Sequence, residues 1–261
     1  MSPPRRPAAA WKTAGVPTPP LPLAPDGSSV IVPAYREEQR VAATVRAARA
    51  LPHVDLVVVV DDGSDDGTAA AAAAAGAEVV RSPVNAGKAA AMERGADRVA
   101  ELERRAGVSA RPLMFLDADL EDTAAQAAPL LLPVRTGQAD MTVARLPEQP
   151  GGGRGFVVRL ARAGVGEATG WEPAQPLSGQ RALTREAFDA ARPLARGWGV
   201  EVGLSIDLMR LGFRVQEVEV ELRHRVTGGD WRAQVHRGRQ FWGVWRALRR
   251  RGVGPRLPLP R

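Results

Sequence analysis

From residue 28 onward, short and continuously apolar runs alternate with longer amphipathic stretches. SSVIVPA (28–34), DLVVVV (55–60), AEVV (77–80) and PLMFL (112–116) predict strands, since unbroken aliphatic runs suit a strand buried on both faces. Between them, residues 37–51 place Val41, Val45 and Ala48 on one helix face. An alanine run reaches Gly76, and a third helix opens at Gly87 and extends to Arg105. A further helix is expected after 119. Such an alternation predicts an α/β, Rossmann-like three-layer sandwich with a mainly parallel sheet, with ligand groups gathered at the carboxyl ends of the strands.

The second half is less regular. ADMTVAR (139–145) predicts a strand, and PEQPGGGRG (147–155) is a glycine-rich loop suited to a lid. Residues 156–168 are helical in pattern, PLSGQRALTRE (176–186) is a strand or turn entering a helix, and 200–211 is an amphipathic helix. RVQEVEVELRHR (214–225) alternates as a half-exposed strand does, with Val215, Val218, Val220 and Leu222 among its apolar members. Residues 231–251 form a basic amphipathic helix with Trp231, Val235, Trp242, Trp245 and Leu248 near one side. The expected organisation is a disordered Pro- and Ala-rich lead-in (1–27), one domain (28–230, divided at 120) and a basic tail (231–261).

Composition narrows the field. The chain has 261 residues, 44% hydrophobic and 25% charged, as in ordinary globular proteins, and no 18 apolar residues run together. Without cysteine there are no disulfides, thiolate metal sites or catalytic thiols. The net charge of +7 is misleading, because nine arginines and no acid follow Asp230, so residues 1–230 carry a net −2. A mildly acidic body argues against a nucleic-acid partner. Two readings of the tail stay open: an interfacial helix drawn to anionic lipid, or a helix packed on the domain or on a second copy in a homodimer. With no apolar leader, the expected location is cytoplasmic, peripheral at the inner membrane face if the tail meets lipid. Lysine occurs only at Lys12 and Lys88, which singles out the one in the body.

Candidate chemistry sits where strands end. Asp117 and Asp119 are two apart in an extended segment, so both carboxylates face one region. Hard oxygens suit Mg²⁺ or Mn²⁺, which can bridge diphosphate oxygens; the plainer alternative is that they cap the next helix. In DDGSDDGT (61–68), Gly63 permits a tight turn after Asp61 and Asp62, while Asp65, Asp66 and Thr68 read as a capped turn, Asp65 capping the following helix. Lys88 stands at a helix N-terminus, where amides and the helix dipole favour phosphate.

IVPAYREE, VVVVDDGSDDGT and FLDADL together resemble the nucleotide-binding half of the family 2 glycosyltransferases, which have the GT-A fold. The resemblance implies a hexosyltransferase-like enzyme using a UDP- or GDP-linked sugar donor. It puts Pro33, Ala34, Tyr35, Glu37, Asp61 and Asp62 at the nucleoside, Gly87 and Lys88 at the diphosphate, Asp117 and Ala118 nearer the nucleotide, and Asp119 on the metal. Residues 28–120 are then the nucleotide-binding half and 121–230 the acceptor half.

GGGR, PLSG, GWGVEVGL and LRHR follow the order found in glucosyl-3-phosphoglycerate synthases. That likeness implies Arg154 as an acceptor-phosphate clamp, Leu177 as a backbone contact near the reacting centre, Glu201 at sugar hydroxyls and His224 as the metal's third protein ligand. Phe156 and Val226 depart from the pattern, replacing two polar partners of the acceptor phosphate. Each lost charge-assisted bond costs about 1.5–3 kcal/mol, which disfavours 3-phosphoglycerate. Residues 211–225 equally resemble the polyprenyl-phosphate sugar transferases related to dolichol-phosphate mannose synthase, in which a carboxylate such as Glu201 would be the general base. The acceptor is thus a small phosphorylated molecule or a polyprenyl phosphate. A non-catalytic nucleotide-sugar sensor or membrane-surface scaffold is the alternative, against which intact Asp117, Asp119 and Lys88 argue.

Overall fold

A computed structural model describes residues 23–147, 155–222 and 231–254, with backbone alone at 231–237 and 239. The first half runs β1 (Ser28–Ala34), α1 (Val41–Arg49), β2 (Val54–Asp61), α2 (Thr68–Ala74), β3 (Glu78–Arg81), α3 (Lys88–Ala106) and β4 (Leu113–Phe115). The second comprises α4 (Leu131–Arg135), β5 (Met141–Arg145), α5 (Phe156–Thr169), β6 (Arg181–Leu183), α6 (Arg185–Ala190), α7 (Val200–Arg210), β7 (Val215–Glu219) and α8 (Trp231–Arg250).

The strands form one seven-stranded sheet in the order β3-β2-β1-β4-β6-β5-β7. The first four are parallel, as the apolar runs predict; β6 lies antiparallel to both β4 and β5, and β7 is parallel to β5. Alternate residues of each run serve opposite faces, which is why the runs are apolar throughout. Val30, Val32, Val57, Val59 and Met114 join α1 on one face, while Ile31, Val58, Val60 and Phe115 join α3, α6 and α7 on the other. A third cluster, with Leu160, Val165, Val202, Ile206, Val244 and Leu248, packs α8 onto α5 and α7.

Three local expectations change. α1 begins at Val41, four residues late, because Arg36 takes a left-handed backbone (φ 58°) and residues 37–40 form a turn. The helix expected after Asp119 is a 3-10 segment, Glu121–Leu130, followed by the single short α4; Pro129 and Pro133 lack the N–H groups a regular helix needs. β7 stops at Glu219, so Val220 and Leu222 are buried beyond the strand instead of alternating along it. Leu23, within the expected lead-in, packs against the core; residues 1–22 lie outside the described residues.

Candidate functional site

Four chain segments meet at the carboxyl ends of β1, β2 and β4. Pairing sets Ala34 beside Asp61, and the Asp62 amide extends the ladder to the Ala34 carbonyl at 2.9 Å. The next turn is stapled to residues 35–37, with the Arg36 amide donating to Ser64 Oγ (2.9 Å) and the Glu37 amide to Thr68 Oγ1 (2.8 Å). Gly63 is required here, for its φ is 80° and a Cβ would stand 2.7 Å from the Val84 carbonyl carbon. Tyr35 is exposed, with the Arg36 guanidinium 5.2 Å from its ring centre; Pro33 is half-buried and Ala34 buried.

The two aspartates of the turn behave differently. Asp62 is committed to the protein: it accepts hydrogen bonds from the amides of Ala86 (3.0 Å) and Gly87 (2.6 Å) and from Arg94 Nη1 (3.1 Å). Those amides precede α3, so part of the expected phosphate-binding terminus is occupied by this carboxylate. Asp61 is fully buried, and its Oδ1 accepts from the Ser64 amide at 3.0 Å. Arg81 Nε lies 3.2 Å from Oδ2, close enough for an ion pair, yet it is misaligned and leaves Oδ2 without a hydrogen-bond donor. Of the pair, Asp61 alone keeps an unused acceptor, buried beside the exposed Arg81 side chain, so a ligand N–H reaches it only if Arg81 moves aside.

The Asp117–Asp119 segment is held from α1. Thr44 Oγ1 donates to the Ala118 carbonyl and accepts from the Glu121 amide, both at 2.8 Å. Leu120 stands at the N-cap of the 3-10 segment that follows and makes no cap hydrogen bond; the first amide of the segment, that of Glu121, goes to Thr44 instead. Asp65 does not cap α2 either: it pairs with Arg36 at 2.7 Å, and Asp66 receives the Thr68 amide instead.

Lys88 is the hub. Its Nζ donates to Asp117 Oδ1 at 2.7 Å and lies 3.1 Å from Glu201 Oε1 in the first turn of α7. Gln180 Nε2 reaches the other Asp117 oxygen at 2.6 Å. Burial alone would lower the Lys88 pKa, but the Asp117 and Glu201 carboxylates outweigh it and hold the ammonium above the usual lysine range. Gly179 passes directly over this cluster: a Cβ there would sit 2.3 Å from Lys88 Nζ and 2.9 Å from Asp117 Oδ2. Leu177, two residues earlier, is half-buried and packs on the α5–α7–α8 cluster.

Asp119 is half-buried and within electrostatic reach of Arg40, which itself donates to Glu37 Oε2 at 2.7 Å. Among the described residues no three Asp, Glu or His side chains converge as a metal site. Asp119 beside Asp117 still fits Mg²⁺ or Mn²⁺, since such ions take one or two carboxylates and complete their shell with substrate phosphate and water. Arg154 and His224 lie outside the described residues.

The fold thus brings together Asp117, Lys88 and Glu201, from three elements more than a hundred residues apart at the extremes, beside Asp61, Asp62 and Gly87. Sequence reasoning misses Thr44, Arg94 and Gln180. Only Gly179 and Gln180 have a local signal, in or next to PLSG; Thr44 is a helix-interior threonine like any other.

Comparison with known proteins agrees with this geometry. The family model described as glycosyl transferase family 2 matches residues 29–191. Solved structures of Mycobacterium tuberculosis glucosyl-3-phosphoglycerate synthase superpose well. Its complex with phosphoglyceric acid shows 30% identity and a TM-score of 0.70, covering 87% of this chain and 81% of that one. Its complex with Mn²⁺, UDP and phosphoglyceric acid gives 30% and 0.70 over 87% and 79%. The complex with Mn²⁺, UDP-glucose and phosphoglyceric acid gives 29% and 0.69 over 87% and 80%. No curated relative matches at a significant level. With its sheet order, its strand-end carboxylates and a family match over more than half its length, this chain belongs to glycosyl transferase family 2 and is a glycosyltransferase with a GT-A-like α/β fold.

Proposed function

We propose that the enzyme transfers a hexose from a UDP- or GDP-linked donor to a phosphate-bearing acceptor, the sugar lying over the Lys88–Asp117–Glu201 cluster. The observation that carries this reading is that cluster's place beside the Asp119 carboxylate and the unsatisfied Asp61 oxygen, at the carboxyl ends of the central strands. Asp61 Oδ2 accepts an N–H of the base, and the residue 33–37 segment closes on the nucleoside. Asp119, with His224, holds a Mg²⁺ or Mn²⁺; structures of the M. tuberculosis enzyme contain Mn²⁺ or Mg²⁺ with UDP. The cation supplies Lewis acidity that offsets charge on the departing diphosphate. Lys88 orients Asp117 and Glu201 so that their outer oxygens meet sugar hydroxyls. Transfer breaks the anomeric C–O bond to the diphosphate and forms one to an acceptor oxygen.

On the acceptor side, Phe156 stands where a hydroxyl would serve a phosphate, and it opens an aromatic run: Phe156 to Phe241 (5.4 Å), Phe241 to Trp242 (5.8 Å) and Trp242 to Trp245 (5.3 Å). Such a surface favours a polyprenyl phosphate over 3-phosphoglycerate. The outer face of α8, with exposed Trp242, Arg246, Arg249 and Arg250, supports peripheral contact with an anionic membrane, although Val244 and Leu248 bury its inner face on the domain.

Incubation with UDP-glucose and Mn²⁺ is expected to give slow donor hydrolysis, which polyprenyl phosphate accelerates more than 3-phosphoglycerate does. Tight donor binding without turnover under either cation would mark a sensor instead. Vesicle co-sedimentation with and without residues 231–261 tests the membrane contact, and identical sedimentation rejects it.

A further inference from the structure

We infer that Arg181 is a positioning residue for transfer: its buried guanidinium fixes the backbone of residues 176–178 and, through Ser205, the first turns of α7, so that Gly179, Gln180 and Glu201 stay in register with Lys88. Arg181 is 1% exposed, and no carboxylate lies within ion-pair distance among the described residues. It spends its donors on backbone and hydroxyl oxygens, with the Met141 sulfur as a further, weak acceptor 3.9 Å from Nη1. Nε donates to the Ser178 carbonyl (2.9 Å), Nη2 to the Pro176 carbonyl (3.2 Å) and Nη1 to Ser205 Oγ (2.9 Å). Ser205 Oγ in turn donates to the Glu201 carbonyl at 3.1 Å. One side chain therefore grips the loop on both sides of Leu177 and reaches the helix carrying Glu201.

A cation buried without a salt-bridge partner is costly, and its persistence calls for a compensating role. Burial pulls its pKa down to about 10, with the Glu201 and Glu217 carboxylates opposing that fall. Glu217 of β7 holds the same loop from its other side, accepting from the amides of Ala174 (2.9 Å) and Gln175 (2.7 Å). A carboxylate on two amides and a guanidinium on two carbonyls make residues 174–178 rigid. The loop ends in Gly179, whose Cα hydrogen faces the Lys88–Asp117 pair with no room for a methyl group. A rigid loop at that spot determines where the sugar and acceptor meet, and misplacement there by about 1 Å costs roughly a hundredfold in rate.

The inference rests on the proposed transfer, so its test has a readout independent of turnover. In Arg181→Met, hydrogen–deuterium exchange is expected to rise at least tenfold in peptides covering 174–180 and 200–205 while β1–β3 stay unchanged. Unchanged exchange in a folded Arg181→Met protein overturns the inference whether or not the enzyme is active. In the wild type, donor turnover is measured first; its absence sinks the proposed function alone. Where turnover is present, Arg181→Met should lower kcat by about 10–100-fold with donor affinity nearly unchanged, because residues 33–62 are untouched. Arg181→Lys should recover part of that loss, and Ser205→Ala, which cuts only the link to α7, should show a smaller kcat effect at wild-type stability. Equal losses in affinity and kcat would reveal a merely structural role and overturn the proposal. Should Arg181→Met fail to fold, Arg181→Lys and Ser205→Ala decide by the same two readouts.

Discussion

The two ends of the sheet both carry buried charge and solve it differently. At the amino ends of the strands, Arg111 is buried with Asp55 and Glu103 as ion-pair partners, its Nη2 donates to Ser29 Oγ at 2.8 Å, and Arg185 pairs with Glu103 at 3.3 Å. Two cations meet two anions, and among the described residues Arg185 Nε is the one buried atom of this group without a hydrogen-bond partner. At the carboxyl ends the pairing is different: Lys88 is shared by Asp117 and Glu201, Arg94 meets Asp62, Arg40 meets Glu37, and Asp61 Oδ2 has no hydrogen-bond donor. One end is closed by its own ion pairs; at the other a single ammonium serves two carboxylates, and Asp119 beside them suits a divalent cation.

The comparison can be broken in order of expected effect. Arg111→Ala leaves Asp55 uncompensated and Glu103 with Arg185 alone, and should cost about 3–5 kcal/mol of stability in urea unfolding, with kcat per folded molecule unchanged. Asp119→Asn should do the opposite, lowering turnover by about 10²–10³-fold at an unchanged unfolding midpoint. If each substitution affected both properties alike, the division between a scaffold end and a working end would fail. Gly179→Ala must displace Lys88 Nζ and press on the Asp117 carboxylate paired with it, and so should reduce kcat about tenfold while costing about 1–3 kcal/mol of stability, less than Arg111→Ala.

The smallest effect concerns pH. The Arg214 hydrogen bond holds the Asp140 carboxyl below its usual range despite partial burial, tying the amino ends of β5 and β7 together. Its folded pKa is depressed, so its stabilisation is present above about pH 4 and is lost as pH falls through the folded value. With Arg214 exposed and screened by solvent the loss is small, seen as a shallower acid limb in Asp140→Asn. The Lys88 pKa is raised instead, so its contribution is fully present below about pH 10.4 and disappears only above that. Turnover measured between pH 6 and 9 should therefore show no limb that Lys88→Arg shifts.

Much of this was legible before any coordinates because it is local. Strands such as 55–60 announce themselves by unbroken valines, and Asp117, Asp119 and Lys88 stand out by position and by rarity. The family resemblance, carried by three strand-end motifs, agreed with the family match found later. What stayed hidden depends on partners far along the chain. Nothing near Thr44 tells that it will hold residues 118 and 121, and an arginine in QRAL gives no hint that it will be the most buried cation beside the site. Asp62 looked equivalent to Asp61 until the folded loop at 86–87 claimed its oxygens. The 3-10 segment was readable in principle from Pro129 and Pro133, yet its apolar residues also fit a helix.

The most direct test is calorimetric titration of UDP into the wild type and Asp119→Asn, with and without Mn²⁺. The proposed cation site at Asp119 predicts that Mn²⁺ tightens UDP binding by at least about tenfold, roughly 1.4 kcal/mol, and that Asp119→Asn abolishes this gain while leaving metal-free binding unchanged. Equal UDP affinity in all four titrations would contradict the account, because the acids at the carboxyl edge would then have no cation to receive.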